Sequence, residues 1–406
     1  MKNEKVLVVT TTEGCATNLM ENSNYRKIVE LSGLDNALTT NEADVIVVNT
    51  CAYTTDQEEK SLSLIQNYQE KFPHKKIVVG GCLTKINSKK LNTIYQGKTF
   101  APGDIQQFKE TLNIKNNLTE KELQTHFFDK SDFVDLSYKH KIVLALRPIF
   151  FRIEKLFNRK FQPVHNVLQT AIVNEEFYGI SVSQGCAGYC TFCSIKMAKG
   201  HVKSKPVVQV MHEFQQGLDV GHEKLWLLGD DIGCYGIDLN SDFNALLEKI
   251  LEIPKKFELV INYFEPFFFL KQFEKMLSLL ADKRVIHINF PIQSGSHRIV
   301  EKMGREYDPT EVLGKIKTLK KINPDLVVKT NIIVGFPSET FSDFMKSVKS
   351  VFYFDAILAL KFTARHGTRA IKMDEQISEI TKNFRLFIIN AAIAMRHSYI
   401  FLKSFV

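Results

Sequence analysis

The sequence predicts an α/β chain built from two parallel sheets in series. Three observations carry this. Short apolar runs alternate with helical stretches from Lys5 to Gly81, and again from Tyr178 to Phe362. Cys15, Cys51 and Cys82 each come just after one of the first three runs. Three more cysteines, Cys186, Cys190 and Cys193, share one loop at C-x3-C-x2-C spacing, directly after the run that opens the second series.

The 406 residues are 44% hydrophobic and 24% charged, a globular composition with room for two domains or one large α/β domain with additions. The net charge of +8 is mild. It permits contact with nucleic acid, phosphorylated lipid or an acidic peptide and demands none of them. No secretory signal or lipidation motif is visible at the start. Seven cysteines, an odd number, point to a reducing cytoplasm and to metal ligation, not to a disulfide framework.

In the first series, Lys5–Thr10, 43–49 and 76–81 read as strands. Helices are expected from about Leu19 to Ser32 and from Asp56 to Phe72, the latter stopped by Pro73. In an open parallel sheet the carboxyl ends of the strands line one edge, where ligands collect. Topology therefore brings Cys15, Cys51 and Cys82 together, although 36 and 31 positions separate them. Scattered cysteines are otherwise buried and inert more often than not.

Residues from about Lys115 to Val173 are the least regular. Within them, 139–161 is basic and strongly apolar, and interdomain packing is the favoured reading over an interfacial or partner-binding helix. The second series has strand candidates at 179–183, 224–229, 258–263, 285–290, 326–334 and 356–362. Helices are expected at 207–217, 242–251, 268–281, 309–322 and 340–352. Six β/α units in series imply a curved parallel sheet with helices outside. The last segment, from Ile380 to Val406, is helical and apolar, but Arg385, Asn390, Arg396 and His397 interrupt it. It falls short of a membrane span and is expected to pack on the second domain. Expected boundaries are 1–114, 115–173, 174–373 and 374–406.

Three thiolates at short, uneven spacing suit an iron–sulfur cluster or zinc. With three and not four, one metal position lacks a local protein ligand and is open to substrate or cofactor. A zinc site would need a fourth ligand, for which His201 is the nearest histidine.

The cysteine loop with Phe192 before its last cysteine, placed after the first strand of a β/α series, resembles the radical S-adenosylmethionine (radical SAM) superfamily. Further motifs resemble its methylthiotransferases: Glu13–Asn18 around Cys15, Val48–Ala52 around Cys51, Val79–Leu83 around Cys82, Gly229–Gly236, Pro291–Ser296, Met303–Tyr307 and Ile333–Thr340. Ala364–Arg369 matches a last motif, with His366 and Arg369 where prolines are usual. The Asp230–Gly236 stretch looks closest to the branch that modifies threonylcarbamoyladenosine in tRNA. Two departures stand out: an apolar helix where the family carries a C-terminal RNA-binding TRAM module, and a long linker between Cys82 and Cys186.

The resemblance implies a flavodoxin-like N-terminal domain, then a partial (β/α)6 radical SAM barrel. It implies a 4Fe-4S cluster on Cys186, Cys190 and Cys193, where S-adenosylmethionine is cleaved to a 5′-deoxyadenosyl radical. A second 4Fe-4S cluster on Cys15, Cys51 and Cys82 would carry the sulfur. Asp230 and Asp231 are expected at the cofactor amine or ribose, or as an ordinary polar loop. Gly335, Phe336 and Pro337 are expected at the adenine pocket, or as a turn. Cys234 reads as a spare buried thiol, Arg305 and Arg365 as exposed ion pairs in preference to holders of a substrate or cofactor carboxylate, and Tyr189 and Phe192 as a wall shielding the cluster from water. The expected function is methylthiolation of an unactivated C–H bond. The substrate reading leans to a peptide or protein side chain, with a tRNA adenosine close behind and a non-catalytic iron–sulfur scaffold or redox protein as the other class. Expected partners are an electron donor such as flavodoxin or ferredoxin and a sulfur donor. No membrane span is expected.

Overall fold

The computed structural model describes residues 3–11, 15–115, 152, 154–156 and 177–403. The linker expected at 115–173, with its 139–161 stretch, lies almost wholly outside them.

The first domain runs β1 (Lys5–Thr10), α1 (Ala16–Leu31), β2 (Asp35–Asn36), β3 (Val45–Thr50), α2 (Thr55–Lys71) and β4 (Lys76–Gly81). Short helices α3 (Leu83–Ile86), α4 (Ser88–Ile94) and α5 (Ile105–Thr111) follow. Among the described residues its sheet has the parallel order β2-β1-β3-β4. Side chains alternate across the pleat. Val6, Val8, Val45 and Val47 pack with Tyr25, Ile28 and Phe108 on one face; Leu7, Ile46 and Val48 pack with Leu62 and Ile65 on the other. Burial on both faces is why β3 reads as an unbroken apolar run.

The second domain begins with β5 (Tyr178–Ser181), then a small hairpin of β6 (Ser183–Gln184) and β7 (Lys203–Ser204), with α6 (Ile195–Lys199) between them. The series continues through α7 (Val207–Asp219), β8 (Lys224–Leu228), α8 (Phe243–Leu251), β9 (Glu258–Ile261), α9 (Pro266–Lys271), α10 (Phe273–Leu280), β10 (Val285–Asn289) and α11 (His297–Lys302). It closes with α12 (Pro309–Ile322), β11 (Val327–Val334), α13 (Phe341–Ser350), β12 (Ala356–Lys361) and α14 (Glu379–Lys403). The large sheet is parallel, in the order β12-β11-β10-β9-β8-β5. The single helix expected over 268–281 is two helices, hinged at Gln272. A capping box between Thr340 and Asp343 starts α13, satisfying two backbone donors at once.

One face of the large sheet joins the main core with the outer helices. The other face receives α1: Ala16, Leu19 and Met20 pack against Trp226, Leu228, Val260 and Ile286. The helix that begins at Cys15 therefore seats the first domain against the inner surface of the second.

His287 of β10 is buried, and its Nδ1 has no hydrogen-bond partner among the described residues. Burial, then the charge of Lys329, hold its pKa down at about 3. The unfolded imidazole takes its proton near pH 6.5, so the unfolded state binds more protons as pH falls. The stabilisation is present above about pH 6.5 and is lost as pH falls towards about 3; it is on the order of 4 kcal/mol. Urea midpoints should drop across that window, and His287→Leu should flatten the slope.

α14 packs on the second domain, as expected, through Ile389, Ala392 and Ile393. Two of its charged side chains turn inward. Arg385 pairs with the buried Glu339 at 2.7 Å, and the Lys382 Nζ lies 5.5 Å over the Phe362 ring. Among the described residues no helix is long and apolar enough to cross a membrane.

Candidate functional site: two thiol triads across one seam

Each triad stands at the carboxyl end of a parallel sheet. Cys15 occupies the N-cap of α1, Cys51 directly follows β3, and Cys82 follows β4 at the N-cap of α3. The strands β1, β3 and β4 are neighbours, which converges three distant cysteines. The backbone there is tightly held. The Cys51 N–H donates to the Thr11 Oγ1 at 2.9 Å, Ser61 Oγ donates to the Cys51 carbonyl at 2.8 Å, and the Cys82 N–H donates to the Thr50 carbonyl at 3.0 Å. Gly81 has φ +87°, and a Cβ there would lie 2.4 Å from the Thr50 carbonyl oxygen. Only glycine lets the chain turn this closely into Cys82.

The loop of Cys186, Cys190 and Cys193 leaves β6 through Gly185, at φ +77°, where a Cβ would meet the His201 carbonyl at 2.3 Å. The loop then folds around sulfur. The Gly188 N–H donates to Cys186 Sγ at 3.2 Å and the Ile195 N–H to Cys193 Sγ at 3.4 Å. A Cβ at Gly188 would lie 3.3 Å from Cys186 Sγ and 3.8 Å from Cys190 Sγ, so these two sulfurs flank one point. Thr191 ties the loop across the sheet: its N–H donates to the Met303 carbonyl, and its carbonyl accepts from the Ala370 N–H.

The electrostatics suit a cationic centre. Burial, then Cys190, push the Cys193 thiol up to about 12. Burial also raises Cys190, with Arg305 opposing, and raises Cys82, with Lys199 opposing and Cys51 adding to the rise. Thiols crowded in this way resist ionisation until a metal stands among them. Among the described residues no three His, Cys, Asp or Glu close on a single-ion site. The donor set, three thiols apiece spread around a gap, fits an iron–sulfur cluster with one position left open.

Tyr53 and Tyr263 lie within electrostatic reach of the triads. Desolvation, then Cys193 of one triad and Cys15 and Cys51 of the other, raise the Tyr53 phenol, with Arg305 opposing. The Tyr263 phenol is raised by burial, then by Tyr53, Cys15, Asp230 and Cys51.

The other expected residues divide. Asp231 comes to the cluster loop: its Oδ1 accepts from the Gly233 and Glu265 N–H groups, and its Oδ2 lies 3.8 Å from Cys186 Sγ. Asp230 turns to the domain seam, accepting from the Gly185 N–H at 2.8 Å and pairing with Lys199 at 3.3 Å. Phe336 is fully buried between Phe192 and Phe362, edge-on to both, so the Gly335–Pro337 turn backs the cluster loop. Cys234 is fully buried and donates to the Asp231 carbonyl. Two expectations are corrected. Arg305 and Arg365 are not exposed pairs: each is buried, against Glu265 and Glu58 respectively, because each bridges two chain segments over a core. Tyr189 does not wall the cluster; it is 70% exposed, with the Lys196 Nζ 3.7 Å over its ring.

Sequence reasoning missed a set of polar side chains on and just after strands β10 and β11 of the second domain. Asn289 Nδ2 and Oδ1, Gln293 Oε1 and Asn331 Oδ1 are buried without hydrogen-bond partners among the described residues. Buried amides are rarely left so, and together they are suited to the amino-acid and ribose groups of a bound cofactor. Gln293 was within reach, since it sits in a quoted motif; Asn289 and Asn331 look like ordinary strand residues.

Comparisons with known proteins agree with this geometry. The Radical SAM superfamily model matches residues 180–351, and that of Uncharacterized protein family UPF0004 matches residues 7–101; each span holds one triad. The tRNA-2-methylthio-N(6)-dimethylallyladenosine synthase of Thermodesulfovibrio yellowstonii is 28% identical over 95% of this chain and 82% of its own length. The probable threonylcarbamoyladenosine tRNA methylthiotransferase of Pyrococcus abyssi is 25% identical over 91% and 80%. The ribosomal protein uS12 methylthiotransferase RimO of Carboxydothermus hydrogenoformans is 29% identical over 90% and 77%. Among solved structures, the radical S-adenosylmethionine methyltransferase TsrM of Kitasatospora setae aligns over 91% of this chain and 77% of that one, with TM-score 0.57 and 13% identity, a likeness of fold alone.

Proposed function

Because the chain belongs to the radical S-adenosylmethionine methylthiotransferase family, enzymes that use S-adenosylmethionine and two 4Fe-4S clusters, we propose that it installs a methylthio group on an unactivated C–H bond of a peptide or protein side chain. The observation that carries the assignment of sites is that neighbouring strands converge Cys15, Cys51 and Cys82, and that α1, which Cys15 opens, packs on the inner face of the sheet whose first strands lead into the Cys186 loop. Cys186, Cys190 and Cys193 hold the cluster that meets S-adenosylmethionine; Cys15, Cys51 and Cys82 hold the sulfur-bearing one. When bound, these groups supply the one-electron chemistry that no side-chain acid or base provides. Asn289, Gln293 and Asn331 take the cofactor's polar groups. Asp231 faces its amine, and the Gly335–Pro337 turn backs its base. Tyr53, half-exposed, and Tyr263 line the approach of the substrate carbon.

The relatives named above include tRNA enzymes and a ribosomal-protein enzyme. The surface beside the cluster loop favours peptide. A cleft of about 910 Å3 opens next to Tyr189, and its lining sets Glu301, Glu306, Asp308 and Glu311 against Lys271, Arg305 and Arg369. Its Arg305 is already paired with Glu265. RNA binding rests on many phosphate contacts along a basic track, and four carboxylates interrupt one here. A reductant of the flavodoxin or ferredoxin type and a separate sulfur donor complete the cycle.

The test is incubation of the reconstituted enzyme, S-adenosylmethionine, dithionite and sulfide with a basic peptide pool and, separately, with bulk tRNA. Mass analysis should find SCH3 in place of hydrogen in the peptide arm. Methylthionucleosides alone would transfer the reading to tRNA.

A further inference from the structure

Lys199 closes α6, six residues beyond Cys193, and it is buried at the seam between the domains. Its Nζ reaches Glu21 at 3.0 Å, Asp230 at 3.3 Å and the Thr17 Oγ1 at 3.3 Å. Glu21 and Thr17 belong to α1, the helix that Cys15 opens, whereas Asp230 holds the Gly185 N–H just ahead of Cys186. Thr17 Oγ1 lies 3.2 Å from Cys15 Sγ. An ammonium only donates, so the hydroxyl oxygen accepts from Lys199; once Cys15 is a thiolate ligand, only the hydroxyl can donate across its contact with the sulfur.

We propose that Lys199 and Thr17 form a relay that aims a charge-backed hydrogen bond at Cys15 and raises the reduction potential of the cluster on Cys15, Cys51 and Cys82. This rests on the two-cluster reading above. Cluster potentials follow net charge and the hydrogen bonds made to the sulfurs, and a donor polarised by a neighbouring cation is the stronger one. The two carboxylates fix the ammonium from both sides of the seam. Their own charge partly offsets it, and this gives the relay an adjustable sign. Lys199 and Thr17 are positioning residues: they act through Cys15.

The experiment uses full-length chain carrying Cys186→Ala, Cys190→Ala and Cys193→Ala, so that only the other cluster assembles. Iron and sulfide are counted, and the potential is read by a dye titration followed by electron paramagnetic resonance. Thr17→Val, which keeps shape and removes the hydroxyl, should shift the potential negative. Lys199→Met should shift it further the same way, and Glu21→Gln should shift it positive. Lys199→Arg should stay near the parent. If Lys199→Met fails to assemble, Thr17→Val and Glu21→Gln decide the matter alone. Iron present with potentials unmoved in those two overturns the relay and leaves the two-cluster reading intact. A parent without iron overturns both.

Discussion

Replacing Cys186, Cys190 and Cys193 by alanine should abolish reductive cleavage of S-adenosylmethionine, with 5′-deoxyadenosine falling by several orders of magnitude, to the dithionite background. Iron should drop from two clusters' worth to one. The reciprocal variant, with Cys15, Cys51 and Cys82 replaced, should keep the cleavage and lose the methylthio product. The asymmetry follows from placement. The first triad sits on a loop at the mouth of the second domain's sheet, and the unpartnered amides of Asn289, Gln293 and Asn331 of that domain are the ones proposed above to take the cofactor. The second sits at the edge of the other sheet, beyond Tyr53. Single-turnover assays of 5′-deoxyadenosine and of methylthiolated peptide, run on both variants, check this. If the Cys15 variant lost cleavage as well, the division of labour would fail.

Much of this arrangement could be read from local pattern. β1 and β4 match their expected limits, and the six strands of the large sheet fall within two residues of theirs, because each apolar run is bounded by polar turns. The position of Cys15, Cys51 and Cys82 just past neighbouring strands was enough to converge them, since parallel topology carries the rest, and the other triad shares one loop. What escaped is what depends on partners far away in sequence. β2 is a two-residue edge strand with no apolar signal. Arg385 was read only as an interruption of the last helix, and it turns inward because Glu339 waits there; Lys382, which no pattern singled out, turns inward to Phe362. Lys199 carries no motif; its meaning comes from Glu21 and Asp230, one in each domain. Tyr189 and Phe192 looked alike on paper, yet Phe336 buries one while the other points out under Lys196. A hydrophobic period shows which face is covered and leaves open which charge meets which.

Arg365→Ala should cost about 3 kcal/mol, the lower end of the range for breaking a buried ion pair. Its guanidinium Nη2 donates to the Glu58 Oε2 at 2.6 Å and to the Ala52 carbonyl at 2.6 Å, and Nη1 reaches the Thr55 Oγ1 at 3.5 Å. Both side chains are about 95% covered, so the lost pairing is not replaced by water. The cost stays at the low end because Glu58 keeps Asn87 at 3.0 Å and Lys90 at 3.4 Å on its other oxygen. Arg365→Lys should recover little of the loss, since one ammonium cannot reach three acceptors that a planar fork spans. Arg365→Met with Glu58→Gln should recover most of it, as no charge is then stranded. The same residue bears on chemistry, because Ala52 follows Cys51 directly. Loosening that carbonyl frees the Cys51 loop while the other triad, held by Met303 and Ala370, is untouched. The methylthio product should therefore fall more than 5′-deoxyadenosine does, and the ratio of the two should drop along with the urea midpoint. A variant with a lowered midpoint and an unchanged ratio would make Arg365 a structural clamp alone; an unchanged midpoint would remove it from the seam altogether.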